Sequence, residues 1–496
     1  MRAVLARRRL DEATTDPKAW VASIIPSDDA RPSSRGDEPD GEVGCEIPEA
    51  ALRGISVVQL EAIYEEACEL CVSQGWTASA GPQAGKKLDP SDMNLYDLVS
   101  HHVAPKTLAT RRSMVETVAK GPQPPAWFVS HWWGEPVKDF IACLKQHLKL
   151  RHLSAATTHY WVCAYALRQH RLDEELGGVG LDAMDSPFNR ALRIADGTLT
   201  VADKSGVVFS RVWCAFESYA TLTQRIEILH DLAIAENEGA KLVSDGPTAQ
   251  DGASGASRSL ALAWKAVRES EFPTDQLMGV VTDFSLSEAD SSRPEDKAAI
   301  LEAVGDARHV FDATMRARFG GVVLRELYKH EVAFKRWVED LRASRLRKLS
   351  GDFPRDQENS RHPRVKPASD AVIRALPETK IKDLRLGYGT VASVHAPIFR
   401  QVISSGQLLS LDLARSQVPD IVGVALAEAL LDKRCVLTML NLTGNKCGDA
   451  TGEAFDKSLG ENTSLRVLNL SSNPVAKSTA IRKRLVDNHG SRVGFA

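Results

Sequence analysis

The strongest constraint on the fold is a leucine pattern that recurs four times toward the C-terminal end. Ile381-x-x-Leu384-x-Leu386, Leu408-x-x-Leu411-x-Leu413, Leu437-x-x-Leu440-x-Leu442 and Leu465-x-x-Leu468-x-Leu470 share one spacing, and their last leucines lie 27, 29 and 28 residues apart. A fixed period of this length marks an array of repeated strand–helix units. Each segment reads as a strand burying its leucines on one face, and each unit must stack on the next to cover that face. Helical segments fall between them, at Ile421 to Leu431 and Ala450 to Leu459.

A second constraint is the stretch from Ala126 to Glu217. Trp127-Phe128-Val129 is apolar, aromatic and β-branched, and Pro124-Pro125 precedes it, so it predicts a short buried strand. The chain then turns polar at Ser130-His131-Trp132-Trp133-Gly134-Glu135. Pro136 opens an amphipathic helix with Val137, Phe140, Ile141, Leu144 and Leu148 on one face. Further strands are expected at His159 to Ala166, Thr198 to Asp203 and Ile226 to Leu229. Asp185-Ser186-Pro187 predicts a helix start, and Ser210 or its neighbour caps a helix through Trp213, Phe216 and Ala220. Strands alternating with helices imply a parallel sheet covered on both faces. Ligands bind such sheets beyond the carboxyl ends of the strands, which singles out residues 130–135.

At 496 residues the chain is too long for one core, and roughly two to four domains are expected. The reading by segment is a disordered N-terminus (1–45), a helical preface (46–122), an α/β domain (123–235), an exposed insertion (236–258), a helical segment (259–349), a basic linker (350–370) and the repeats (371–490). A net charge of −3 gives no reason to expect nucleic acid as a partner. No apolar run approaches the ~20 residues of a membrane span. The basic start, Met1 to Leu10, lacks the apolar core of a secretory signal. The eight cysteines are scattered, and Cys68 and Cys71 share a helical pattern that reads as buried thiols rather than zinc ligands. No metal site is expected, since His131, His147 and His152 lack ligand spacing. A cytoplasmic setting fits. Gly81 to Lys87 lacks the spacing of a phosphate-binding loop.

The segments Phe128-Val-Ser130-His131 and Ser210-x-x-Trp213-Cys214-x-x-Glu217, set in this order of strands and helices, resemble the Toll/interleukin-1 receptor (TIR) domain. The resemblance covers about Gln123 to Leu232. It implies a flavodoxin-like parallel sheet in the strand order 2-1-3-4-5. In enzymatic members the Glu of this motif cleaves the nicotinamide–ribose bond of NAD, and that position is Glu217. The resemblance therefore implies Glu217 as the catalytic group and NAD or a related nucleotide as substrate, with no tightly bound cofactor. Ser130, His131, Trp132, Trp133 and Gly134 would line the nucleotide site, the two indoles as aromatic floors. Residues Leu167 to Met184 fall where the family has a mobile loop. His-Trp-Trp-Gly follows Ser130 where the family has Phe-Arg-Gly, Ser218 follows Glu217 where it favours Leu, and a fifth strand is not legible. The Ser-His-Trp-Trp-Gly-Glu and Tyr-Trp-Val-Cys-Ala-Tyr segments also resemble those of a group of dinoflagellate-type protist proteins, which implies no activity.

The leucine segments resemble leucine-rich repeats of the ribonuclease-inhibitor type. That resemblance implies a solenoid arc that binds a protein partner. Asn445 and Asn473 take the position whose amide bonds the backbone between turns. Gly389 and Ser416 replace it in the first two repeats, so looser turns are expected there.

Two functional readings follow. One is an intracellular signalling or defence-type protein whose α/β domain binds and hydrolyses NAD. The other is a non-catalytic scaffold with a self-associating α/β domain and ligand-recognising repeats. On the second reading Glu217 is an exposed carboxylate beside Arg211 or Arg225, Ser130 and His131 form a satisfied pair, and Trp132-Trp133 pack helices onto the sheet.

Overall fold

The computed structural model describes residues 44–176, 186–224, 227–236, 239–252, 258–291, 293–354 and 362–495. The chain is α/β, with two sheets that contain parallel strands. It divides into two compact units: Met1–Asp251 with Arg268–Phe272 and Leu286–Gly305, and Gly252–Val267 with Pro273–Ser285 and Asp306–Ala496. The sequence reading of 1–45 as disordered lies almost wholly outside the described residues. The helical segment expected over 259–349 is shared between the two units.

In the first unit a two-residue strand, β1 (Ile55–Ser56), runs straight into helix α1 (Val57–Gln74). Ser56 and Gln59 cap that helix reciprocally, and Gly75 closes it at φ 66. Four parallel strands follow: β2 (Trp127–His131), β3 (His159–Trp161), β4 (Gly197–Ala202) and β5 (Leu229–Glu236), with β6 (Gly239–Val243) last. The sheet order is β1-β3-β2-β4-β5-β6, and β1 and β6 run antiparallel to their neighbours. The parallel strands thus stand in the chain order 2-1-3-4. Their connecting helices are α2 (Val137–Arg151), α3 (Pro187–Ile194) and α4 (Val212–Gln224). α2 buries Val137, Phe140, Ile141, Leu144 and Leu148. α3 begins where expected: the Ser186 side chain accepts from the Asn189 N–H, and Pro187 takes the first helical position. Gly197 is required by packing, since a Cβ there would come 2.4 Å from the Trp127 ring.

A buried carboxylate holds this unit together. Asp231 on β5 takes two bonds from Arg151 of α2, at 2.9 and 2.6 Å, and one from the Asp245 N–H at 2.8 Å. His147 of α2 places Nε2 3.2 Å from Asp231 and Nδ1 2.8 Å from the Tyr160 hydroxyl on β3. Burial alone would raise the Asp231 carboxyl, but Arg151 and His147 outweigh it and hold it well below the usual range.

Three departures from the sequence reading have local causes. The apolar run at His159 stops as a strand at Trp161, and Cys163–Ala166 is a buried helical turn. A short apolar run does not distinguish the two. The strand expected at Ile226 to Leu229 continues to Glu236, past the buried polar residues His230 and Asp231 that interrupt the apolar pattern; Ile226 lies outside the described residues. The basic linker at 350–370 contains the end of one strand and most of one helix, β7 (Lys348–Asp352) and α5 (Val365–Ala375), with 355–361 outside the described residues.

In the second unit β7 opens a six-stranded sheet in the order β12-β11-β10-β9-β8-β7, parallel throughout. The others are β8 (Asp383–Gly387), β9 (Ser410–Asp412), β10 (Met439–Asn441), β11 (Val467–Asn469) and β12 (Val493–Gly494). Helices α6 (Ala396–Ser404), α7 (Asp420–Ala429), α8 (Asp449–Glu461) and α9 (Thr479–His489) alternate with them. Leu349, Leu384, Leu411, Leu440, Leu468 and Val493 lie in one cross-strand row. Asn445 joins successive turns: its carbonyl oxygen accepts from the Ser416 and Val418 N–H groups at 2.9 and 3.0 Å. Its amide donates to the Leu413 and Leu442 carbonyls at 2.9 and 2.8 Å. Asn473 repeats the scheme with Cys447, Leu442 and Leu470. The first two turns are not left open. The Ser416 hydroxyl donates to the Leu386 carbonyl at 2.8 Å, and beside Gly389 the Ser369 hydroxyl of α5 accepts from the Thr390 N–H at 3.0 Å.

Replacing Asn445 with Ala strands several buried backbone groups at once. Asn445→Ala is expected to lower stability by about 3 kcal/mol in urea denaturation followed by circular dichroism. A loss under about 1 kcal/mol would show that the ladder of bonds is not structural.

Candidate active site

Successive residues of a strand point to opposite faces, and this rule divides the residues singled out in the sequence. Ser130, at the carboxyl end of β2, points toward α4. Its hydroxyl donates to Glu217 Oε2 at 2.6 Å. Both side chains are buried, with Glu217 5% exposed. Burial pushes the Glu217 carboxyl up to about 8, a shift that the Ser130 bond opposes. Among the described residues no ion pair reaches it. Glu217 is therefore neither the exposed carboxylate of the scaffold reading nor a group open to a cleft shared with residues 130–133, as the enzyme reading expects, because α4 turns this position toward β2 (Arg225 lies outside the described residues).

Two thiols sense the same carboxyl. Cys214, one helical turn before it, donates to the His131 carbonyl at 3.4 Å. Burial pushes its thiol well up, and Glu217 adds to the shift. Cys163 follows the end of β3, where its sulfur accepts from the Trp133 indole N–H at 3.2 Å. Burial pushes this thiol up to about 12, with the Trp133 bond opposing and Glu217 adding. Cys163 was not legible as a site residue, since its position rests on β3 ending at Trp161.

The other residues of the 130–134 segment go elsewhere. His131 points to the α2 face, 4.8 Å from the Phe140 ring, with Nδ1 3.6 Å from Glu135 Oε1. Burial pushes its imidazole down to about 4, against the Trp132 backbone. Glu135 is pushed well up by burial, then by Asp203 and Asp139. The Trp132 ring lies over Gly134, where a Cβ would come 2.2 Å from it. The Trp133 ring packs on Tyr96 at 5.6 Å, and its carbonyl accepts from the Leu95 N–H at 2.9 Å, so it braces residues 95–98. The structure brings Ser130 to Glu217, and Trp133 to the neighbouring Cys163. It does not bring the His131 side chain to that face.

The loop from Leu167 is clamped where it is described. Arg168 donates to Glu116 at 2.9 and 2.6 Å, and Arg53 to Glu175 at 2.6 Å. Burial raises the Glu116 carboxyl, but Arg168 and the Ser113 and Ile47 backbones outweigh it and hold it at about 2. The rest of that loop, 177–185, lies outside the described residues. Trp213 stacks on Phe188 at 5.0 Å and donates to Asp296 at 2.9 Å.

The pair therefore lies where α4 packs on the carboxyl end of β2, the strand beside which the order reverses. This is the position at which open α/β sheets take ligands. A carboxyl titrating near neutrality can supply a proton or, once ionised, stabilise a developing cation. Among the described residues no group of three or more His, Cys, Asp or Glu could hold a metal ion. No protein-family model matches the chain, and no curated protein is similar to it in sequence.

Glu217 binds its proton more tightly folded than unfolded, so its contribution to stability is present at low pH and lost as pH rises toward 8. His131 acts below pH 6.5 in the opposite sense, which leaves the window from 6.5 to 8 to the acids. Thermal and urea melts are expected to lose about 2 kcal/mol across that window. Glu217→Gln should reduce the loss and leave the part due to Glu135, and an unchanged slope in that variant would remove Glu217 as a source.

Proposed function

We propose that the first unit is a TIR-like domain of flavodoxin type that acts on NAD or a related nucleotide through Glu217. The observation that carries this reading is the buried Ser130–Glu217 pair at the strand reversal, 2.6 Å long and without a compensating cation among the described residues. The 2-1-3-4 order of the parallel strands supports it. The fold departs from the expected one at β6, which is antiparallel where a fifth parallel strand would stand.

In the proposed reaction the bond from ribose carbon to nicotinamide nitrogen breaks, and nicotinamide leaves with the electron pair. Positive charge develops on the ribose carbon, and the ionised Glu217 carboxylate stabilises it or bonds to it. Water then supplies the new carbon–oxygen bond, displacing the Glu217 carboxylate where it has bonded, and releases a proton to solvent. Ser130 orients the carboxylate. Trp133 bonds Cys163 beside the pair, while Trp132, Gly134 and His131 shape the strand-end loop. NAD is a substrate in this scheme, with no tightly bound cofactor, and the setting is cytoplasmic.

The second reading is a scaffold whose first unit self-associates and whose leucine segments form a repeat arc that recognises a protein. The Asn445 and Asn473 bonds between successive turns favour it for the second unit. No helix among the described residues is long and apolar enough to cross a membrane.

Loss of NAD and release of nicotinamide by the purified full chain at high concentration, read by chromatography, test the enzyme reading. Turnover is expected to rise about tenfold per pH unit up to about pH 8, as Glu217 ionises. Glu217→Ala should abolish it, and Ser130→Ala should reduce it while leaving the fold intact. No turnover by folded wild type would leave the scaffold reading.

A further inference from the structure

Two residues past the last leucine of each segment stand Tyr388, Arg415, Gly444 and Ser472, at φ 60, 57, 69 and 57. Their backbones form a ladder. The Tyr388, Arg415 and Gly444 N–H groups donate to the Ala414, Thr443 and Ser471 carbonyls at 3.2, 2.8 and 2.9 Å. Adjacent turns therefore keep a strand-like spacing of about 5 Å along this edge.

Arg415 is built into the row. Its guanidinium carbon lies 5.8 Å from the centre of the half-buried Tyr388 ring on the preceding turn. Its stem passes over Gly444 on the following turn, where a Cβ would come 2.9 Å from Arg415 Cγ. Stacking uses the face of a guanidinium and leaves its N–H edge for an acceptor. Arg415 is exposed, and among the described residues it forms no ion pair. Lys446, on the turn after it and also exposed, reaches only the Gln417 side-chain oxygen, at 3.4 Å. The acids of these turns stand at the helix starts. Asp420 accepts from the Gly448 and Thr451 N–H groups at 2.8 and 3.0 Å, and the exposed Asp449 pairs with neither cation. Beside them, Val394 and Ile421 hold equivalent places in adjacent turns and are 55% and 58% exposed. The turn at Ser393–His395 packs on α7, which carries Ile421. Six residues separate Arg415 from Ile421, a span of at most about 21 Å.

We propose that this edge binds a protein segment with an aspartate or glutamate at one end and an apolar side chain within about six residues of it. The carboxylate meets Arg415 and Lys446, and the apolar side chain covers Ile421 and Val394. A pre-placed arginine fork favours a carboxylate over a neutral amide, and loses little freedom on binding it. An acid at the apolar end would face Asp420 and Asp449, so the edge reads the order of the two groups as well as the charge. The proposal rests on the reading of the leucine segments as protein-recognising and adds the chemistry of the partner.

A random linear peptide library displayed on phage, selected on the immobilised full chain, supplies the probe. Enriched peptides are synthesised and their Kd measured by fluorescence anisotropy. Expected are peptides with an acid set apart from an apolar residue, weakened about tenfold or more when that acid becomes its amide or the protein carries Arg415→Gln. Ile421→Ser should weaken them as well. Lys446→Gln serves if Arg415→Gln melts early by circular dichroism. Binders that need the acid and Arg415 but tolerate Ile421→Ser would overturn the apolar contact. Binders weakened by Ile421→Ser yet indifferent to the acid, Arg415→Gln and Lys446→Gln would overturn the charge preference. Binders untouched by all three variants would overturn this edge as the site and leave protein recognition standing, and no enrichment would overturn both.

Discussion

One buried carboxylate, Asp231, decides how the first sheet is assembled. A charge in that position is tolerable only when every lone pair is used and a cation lies against it. Arg151 supplies the cation and two donors, the Asp245 backbone a third, and His147 links the cluster to Tyr160 on β3. Helix α2 is thereby held against β5 at its C-terminal end. Its other end emerges from the loop after β2, so fixing α2 also fixes residues 131–136. The strand-end geometry around Ser130 is in part a consequence of this anchor at the far side of the sheet.

The sheet carries a second buried carboxyl under the opposite regime. Asp231 is held ionised by Arg151 and His147, whereas Glu217 meets a hydroxyl and two thiols and stays largely protonated at neutral pH. Environment alone separates them, as it separates paired acids in enzymes that assign them different roles. Perturbed carboxyls of this kind concentrate at functional sites, and Glu135, also raised by burial, shows that burial produces one as well.

Much of this was legible in the chain because it depends on spacing. The leucines of the four segments fall in one cross-strand row, and Ser186-Pro187 begins a helix, since period and capping are local properties. What escaped depends on partners far away in sequence. His230 and Asp231 obscure β5 until Thr200 and Arg151 are seen to satisfy them. β7 looks like a basic linker because its strand register is set by β8. The sequence placed Ser130 through Gly134 in one loop, but only strand alternation and the path of α2 reveal that Ser130 and His131 serve opposite faces.

The borders of the first sheet carry a consequence for assembly. β1 offers two residues, and β6 runs against the parallel strands and starts at a glycine. Very short margins such as β1 are one way natural sheets refuse an extra strand from a neighbour. At the β1 margin, copies of this unit would therefore meet through helices and loops rather than by adding a strand.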